Sequence, residues 1–141
     1  MRKTLTVAGV AAAATGTVIL VAGAAQAKTG LHLSADHHTV QHGRTVTFRA
    51  DAFSDSSGDK IHGLKLCLQR ALPKGPGYET LRCTTHGRTG KSGAERFVLT
   101  LKPAVHKGTY TFRAVAYRQD RNHHWHAWGA GASNHLKVTV R

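Results

Sequence analysis

The chain has 141 residues, with 20 Lys and Arg against 7 Asp and Glu, 11 His and 2 Cys. That length holds one domain and leaves no room for a second large one. The excess of 13 positive charges argues against cationic partners, and two cysteines build neither a disulfide-dense scaffold nor a four-cysteine zinc site.

Arg2 and Lys3 open the chain, and no charge follows from Leu5 to Ala25. Ala25-Gln26-Ala27 then offers small residues where a signal peptidase reads. This three-part order is that of a secretory signal peptide over residues 1–27. A membrane anchor competes with it, because the apolar run is about long enough to span. Gly9, Gly16 and Gly23 dilute that run, however, and the cleavage pattern follows at once. No second hydrophobic span occurs, so no membrane span is expected after cleavage. The exported domain is residues 28–141. Of the basic residues only Arg2 and Lys3 are removed, which leaves 18 against 7 acidic residues. The expected location is secreted and extracellular, with the cell wall as the nearest surface.

The exported part reads as short strands. Leu31, Leu33 and Ala35 alternate with polar residues, as do Val46, Phe48 and Ala50. Leu64, Leu66 and Leu68 form the third set, and a fourth strand is expected near Tyr78 to Thr85. Phe97, Leu99 and Leu101 come next, followed by Tyr110, Phe112, Ala114 and Ala116, and last by Leu136, Val138 and Val140. Period two on this scale marks half-buried strands. Turn-forming clusters separate them, among them Pro73 to Gly77, Gly87 to Gly93 and Gly129 to Asn134. The prediction is an all-β antiparallel sandwich of about seven strands.

Over residues 29–141 the chain resembles a bacterial secreted immunoglobulin-like domain. Gly43-Arg44-Thr45-Val46-Thr47-Phe48 is similar to the start of strand B, and Lys107-Gly108-Thr109-Tyr110-Thr111-Phe112 to the start of strand F. The resemblance implies the strand order A, B, C, C′, E, F, G, and puts Tyr110 where a tyrosine corner would stand. It also aligns Phe48 and Phe112 with the cysteine positions of antibody domains, and no Trp occurs in strand C. The architecture hosts many functions.

Cys67 and Cys83 are the cysteines, and Gly75 is midway between them, inside Pro73-Lys74-Gly75-Pro76-Gly77. A hairpin folded there sets them opposite each other, so a disulfide is expected. The register puts Cys67 on the face opposite Leu66 and Leu68, and Leu81 outward with it. Either a neighbouring loop shields Leu81 or a bulge shifts the register.

Two features carry candidate chemistry. The first is Arg121-Asn122-His123-His124-Trp125-His126-Ala127-Trp128, expected in the loop between the last two strands. Trp125 and Trp128, with Tyr117 just before them, offer rings for stacking, although one Trp is expected to cap the sandwich. His123, His124 and His126 could begin a transition-metal site, which would need further ligands. The second feature is charge: Lys65, Arg113, Lys137 and Arg141 point outward from the C, F and G strands, with Gln69 and Tyr117 nearby. Such a face attracts anionic polymers.

Asp51, Asp55 and Asp59 lack calcium-loop spacing and read as turn formers. No nucleophile elbow, metalloprotease helix, phosphate-cradling loop or nucleic-acid motif is present. The expectation is a monomeric, non-enzymatic binding or adhesion module without a cofactor. Its leading ligand is anionic wall polymer or carbohydrate. The alternatives are an extracellular metal-binding protein or a partner or inhibitor of another secreted protein, and no specific nucleic acid is expected.

Overall fold

The computed structural model describes residues 29–54, 61–129 and 131–141. The expected signal peptide and the turn-forming Asp55 and Asp59 lie outside them. Ten strands are present: β1 (Thr29–Ala35), β2 (Thr39–Val40), β3 (Val46–Ser54), β4 (Lys65–Ala71), β5 (Tyr78–Thr84), β6 (Arg88–Thr89), β7 (Glu95–Leu101), β8 (Gly108–Gln119), β9 (Trp125–Ala127) and β10 (Leu136–Val140). The seven expected strands are all among them. The three additions, β2, β6 and β9, have two or three residues each, too few to carry a period.

One sheet has the order β1-β3-β7-β6, and the other β2-β10-β8-β4-β5, with β9 beside β8. All pairs are antiparallel except β2 with β10. The fold is therefore an all-β two-sheet sandwich. The chain crosses between sheets after β1, so that β1 edges one sheet and β2 the other.

Alternation builds the core. Val46, Phe48, Ala50 and Ala52 of β3 face Phe112, Ala114 and Ala116 of β8, and all are buried. Phe48 and Phe112, the positions aligned with antibody cysteines, meet across the sheets with ring centroids 4.9 Å apart. This tilted aromatic pair joins the two sheets through the core. Tyr110 forms the expected corner, its hydroxyl donating to the His106 carbonyl at 2.7 Å.

Glu95 is buried at the start of β7. Its two carboxylate oxygens accept from the Gly63 and Leu64 amides, at 3.2 and 3.1 Å. These bonds fix the approach to β4 and give the buried carboxyl oxygens partners.

The exposed edge of β1 is closed by Asn134. Its side-chain amide donates to the Leu33 carbonyl at 3.0 Å and accepts from the Leu33 amide at 2.8 Å. One side chain thus imitates a neighbouring strand and blunts an edge open to foreign strands.

Cys67 and Cys83 are bonded as expected, as direct partners on β4 and β5. Below them the register shifts: Leu68 pairs Arg82, whereas Gln69 pairs Thr80. Leu81 is the extra residue of a β-bulge, which turns it inward onto the core. The bulge resolves the outward Leu81 that the sequence register implied. Cys67 keeps its place on the outer face, next to Val115 of β8.

Replacing Phe112 with Ala should lower the unfolding free energy in urea by about 3–5 kcal/mol. Replacing Val115, on the opposite face of the same strand, should cost less than half as much. Equal losses would contradict this division of faces.

Candidate functional site

The outer face of the larger sheet comes from the residues that alternate with the core. Along β8 these are Arg113, Val115 and Tyr117. Register sets Lys65 beside Tyr117 and Gln69 beside Arg113, and sets Ala127 beside Tyr117 from the other side. Lys137 pairs Thr111 at the lower end of the same face.

Cations and rings pair at two stations. At the upper one the Lys65 ammonium lies 4.7 Å from the Trp125 ring centre and 5.3 Å from that of Tyr117. At the lower one the Arg113 guanidinium lies 3.8 Å from the Tyr78 ring centre. Gln69 accepts from Arg113 Nε at 2.8 Å and donates to Thr80 at 3.2 Å, which fixes the guanidinium plane. Tyr78 crosses the face so that its hydroxyl and His135 Nε2 stand 3.3 Å apart. Neither Lys65 nor Arg113 meets a carboxylate among the described residues. Both cations rest on ring faces and keep donors for an anion.

Between the stations a recess of about 240 Å³ opens beside Val115, walled by Arg113, Tyr117, Ala127, Gly131 and Ala132. It exists because the last strand is interrupted. Gly129 and Gly131 have φ of 75° and 115°, which L side chains rarely adopt, so β9 stops and β10 starts only at Leu136. Ser133 bridges the gap: its amide donates to the Ala114 carbonyl and its hydroxyl accepts from the Ala114 amide, both at 2.8 Å.

The tryptophans separate by alternation. Trp125 faces outward at the upper station. Trp128 pairs through its amide with the Ala116 carbonyl and packs half-buried on the core. Trp128 thus caps the sandwich and leaves the outward set that the sequence suggested. Tyr78 and His135, absent from that set, belong to the face. The unbroken register that set Leu81 outward put Tyr78 inward, and only the bulge at Leu81 brings Tyr78 to the outer face.

The expected loop at 121–129 is a hairpin organised by Asp120. Its Oδ1 accepts from the Asn122 and His124 amides at 2.8 and 2.9 Å, and its Oδ2 meets His126 Nε2 at 2.6 Å. His123 takes the left-handed position of the turn, with φ of 65°, a place that Gly or Asn usually fills. His126 is thus engaged by one carboxylate. Among the described residues no three His, Cys, Asp or Glu side chains gather closely enough to hold a metal ion, and His123, His124 and His126 form no such group.

No family model matches the chain, and no curated protein matches it. Among solved structures it is similar to the CARDB domain of a Pyrococcus furiosus protein (10% identity, TM-score 0.48, covering 80% of this chain and 87% of that one). It is also similar to the sporulation control protein Spo0M of Bacillus subtilis (12%, 0.45, 81% and 49%). A third is the superoxide reductase of Ignicoccus hospitalis (14%, 0.43, 83% and 85%). Likeness at this level carries no functional inference.

The His124 amide, the His126 ring and the Asn122 amide hold the Asp120 carboxyl below the usual carboxylate range. A lowered folded pKa stabilises the hairpin above the unfolded value, and the effect is lost as pH falls through the folded one. Amide exchange at His124 should therefore speed up selectively below the ordinary carboxylate range. Asp120→Asn should show the fast rate already at neutral pH. Unchanged exchange in that variant would contradict the Asp120 assignment.

Proposed function

We propose that this chain is a secreted, non-enzymatic binding domain of the immunoglobulin-like class, which takes anionic wall polymer or carbohydrate on the outer face of its larger sheet. The sheet orders support the class: β1-β3-β7-β6 matches A-B-E-D, and β2-β10-β8-β4-β5 matches A′-G-F-C-C′. The Cys67–Cys83 bond suits an oxidising compartment. No helix among the described residues is long and apolar enough to cross a membrane.

The observation that carries the ligand class is the pair of cation–ring stations. Arg113 and Tyr117 are four residues apart on one strand, so the stations are separated by about 13 Å. A polymer with repeated acidic groups and ring faces can meet both at once, with a sugar on each ring and an acid at each cation. The shallow recess between them leaves the intervening unit uncovered. Two linked contacts reinforce each other through effective concentration, so a face of modest depth can hold a chain that it would hold poorly as single sugars.

Cosedimentation of the exported protein with purified cell-wall material tests this. Binding should fall as salt rises. The double variant Lys65→Ala with Arg113→Ala should bind about tenfold or more weakly, whereas Lys91→Ala should bind as wild type. Binding that ignores both salt and the double variant would sink the proposal.

A further inference from the structure

The end of the sandwich opposite the 120–124 hairpin is formed by the chain at 41–45, the β4–β5 turn at 72–77 and the β7–β8 loop at 102–107. We propose that this end docks on an anionic lipid surface, with Val105 and Leu72 entering the interface between headgroups.

Among the described residues four large hydrophobic side chains are well exposed, and two of them, Val105 at 75% and Leu72 at 40%, are on loops of this end. Each has lysine near it in sequence: Lys102 and Lys107 flank the Val105 loop, and Lys74 follows Leu72. Arg44 and Arg141 are exposed at the same end, since His42 bonds the Arg141 carbonyl. The two acids here are already engaged. Asp36 accepts from the Thr47 amide at 3.0 Å, and Glu79 pairs Arg70 at 3.2 Å. Apolar tips ringed by uncompensated cations fit an anionic headgroup layer over acyl chains.

The loop is also prepared to leave water. Arg70 Nη1 donates to the Pro103 carbonyl at 2.8 Å, and Tyr110 donates to the His106 carbonyl at 2.7 Å. His42 Nε2 is 2.6 Å from the Val105 carbonyl. Three carbonyls of the loop therefore have protein partners, which removes much of the cost of inserting irregular backbone among lipids. The same bonds fix Val105 outward. Clefts of about 630 and 760 Å³ flank the loop and share Arg70, Ala104 and Val105 as walls, which leaves headgroups room beside Arg82 and Lys102. An extended acidic polysaccharide would gain little from aliphatic tips, whereas an acyl layer would.

Flotation of the full protein with phosphatidylcholine vesicles, with and without phosphatidylglycerol, tests this. Binding should require phosphatidylglycerol. Lys102→Ala and Lys107→Ala should each weaken it about fivefold, and Val105→Ser, which leaves charge unchanged, should weaken it by a similar factor. Lys91→Ala at the other end and Trp125→Ala on the sheet face should leave it unchanged, which separates this site from the polymer face. Equal binding by Val105→Ser would overturn the proposal by showing attraction through charge alone. Equal weakening by Lys91→Ala, or binding to neutral vesicles, would overturn it as well.

Discussion

The contact between Phe48 and Phe112 organises the molecule. Each ring belongs to a strand with neighbours on both sides, β3 in one sheet and β8 in the other, and both are buried without residue. Once Phe112 is inside, the pleat determines every other side chain of β8. Ala114 and Ala116 follow it into the core, and Arg113, Val115 and Tyr117 must face out. The outward set is thus the other half of the alternation that makes the core, and a one-residue slip would exchange the two.

An aromatic pair joins the sheets, and the covalent bond acts within one of them. Cys67–Cys83 ties β4 to β5 within one sheet, beside Val115 and between the two cation–ring stations. The bulge at Leu81 lets β5 keep an inward leucine while its cysteine stays on the outer side. The broken last strand acts on the same face from the other edge. Its glycines open a recess, and Ser133 takes over hydrogen bonds to β8 that an unbroken strand would have made. Register, bulge and break together set two cations on aromatic rings with their charge uncompensated.

Much of this was legible in the sequence because period two is a local signal. The runs around Phe48, Leu66, Phe97, Phe112 and Val138 gave the strands, and the midpoint at Gly75 gave the cysteine partners. The same parity set Lys65, Arg113 and Lys137 on one face. What escaped reading depends on contacts across strands. Tyr78 reaches His135 over Arg113, across strands distant in sequence. Trp125 and Trp128 look alike in a row of aromatic and histidine residues, and only the pairing of Gln119 with Trp125 separates an outward ring from an inward one. The bulge at Leu81 required knowing that the core had room for it. Asp120 holds its hairpin through backbone amides, which leave no pattern of residue types.

The two tryptophans, one outward and one inward, report separately on the outer face and the core. Single-tryptophan proteins, Trp128→Phe retaining Trp125 and Trp125→Phe retaining Trp128, can be titrated with soluble wall polymer while indole fluorescence is followed. The Trp125 reporter should change in intensity and wavelength with a saturating, salt-sensitive curve, and the Trp128 reporter should stay constant. A response from Trp128 alone, or equal responses from both, would contradict the assignment of the outer face as the binding surface.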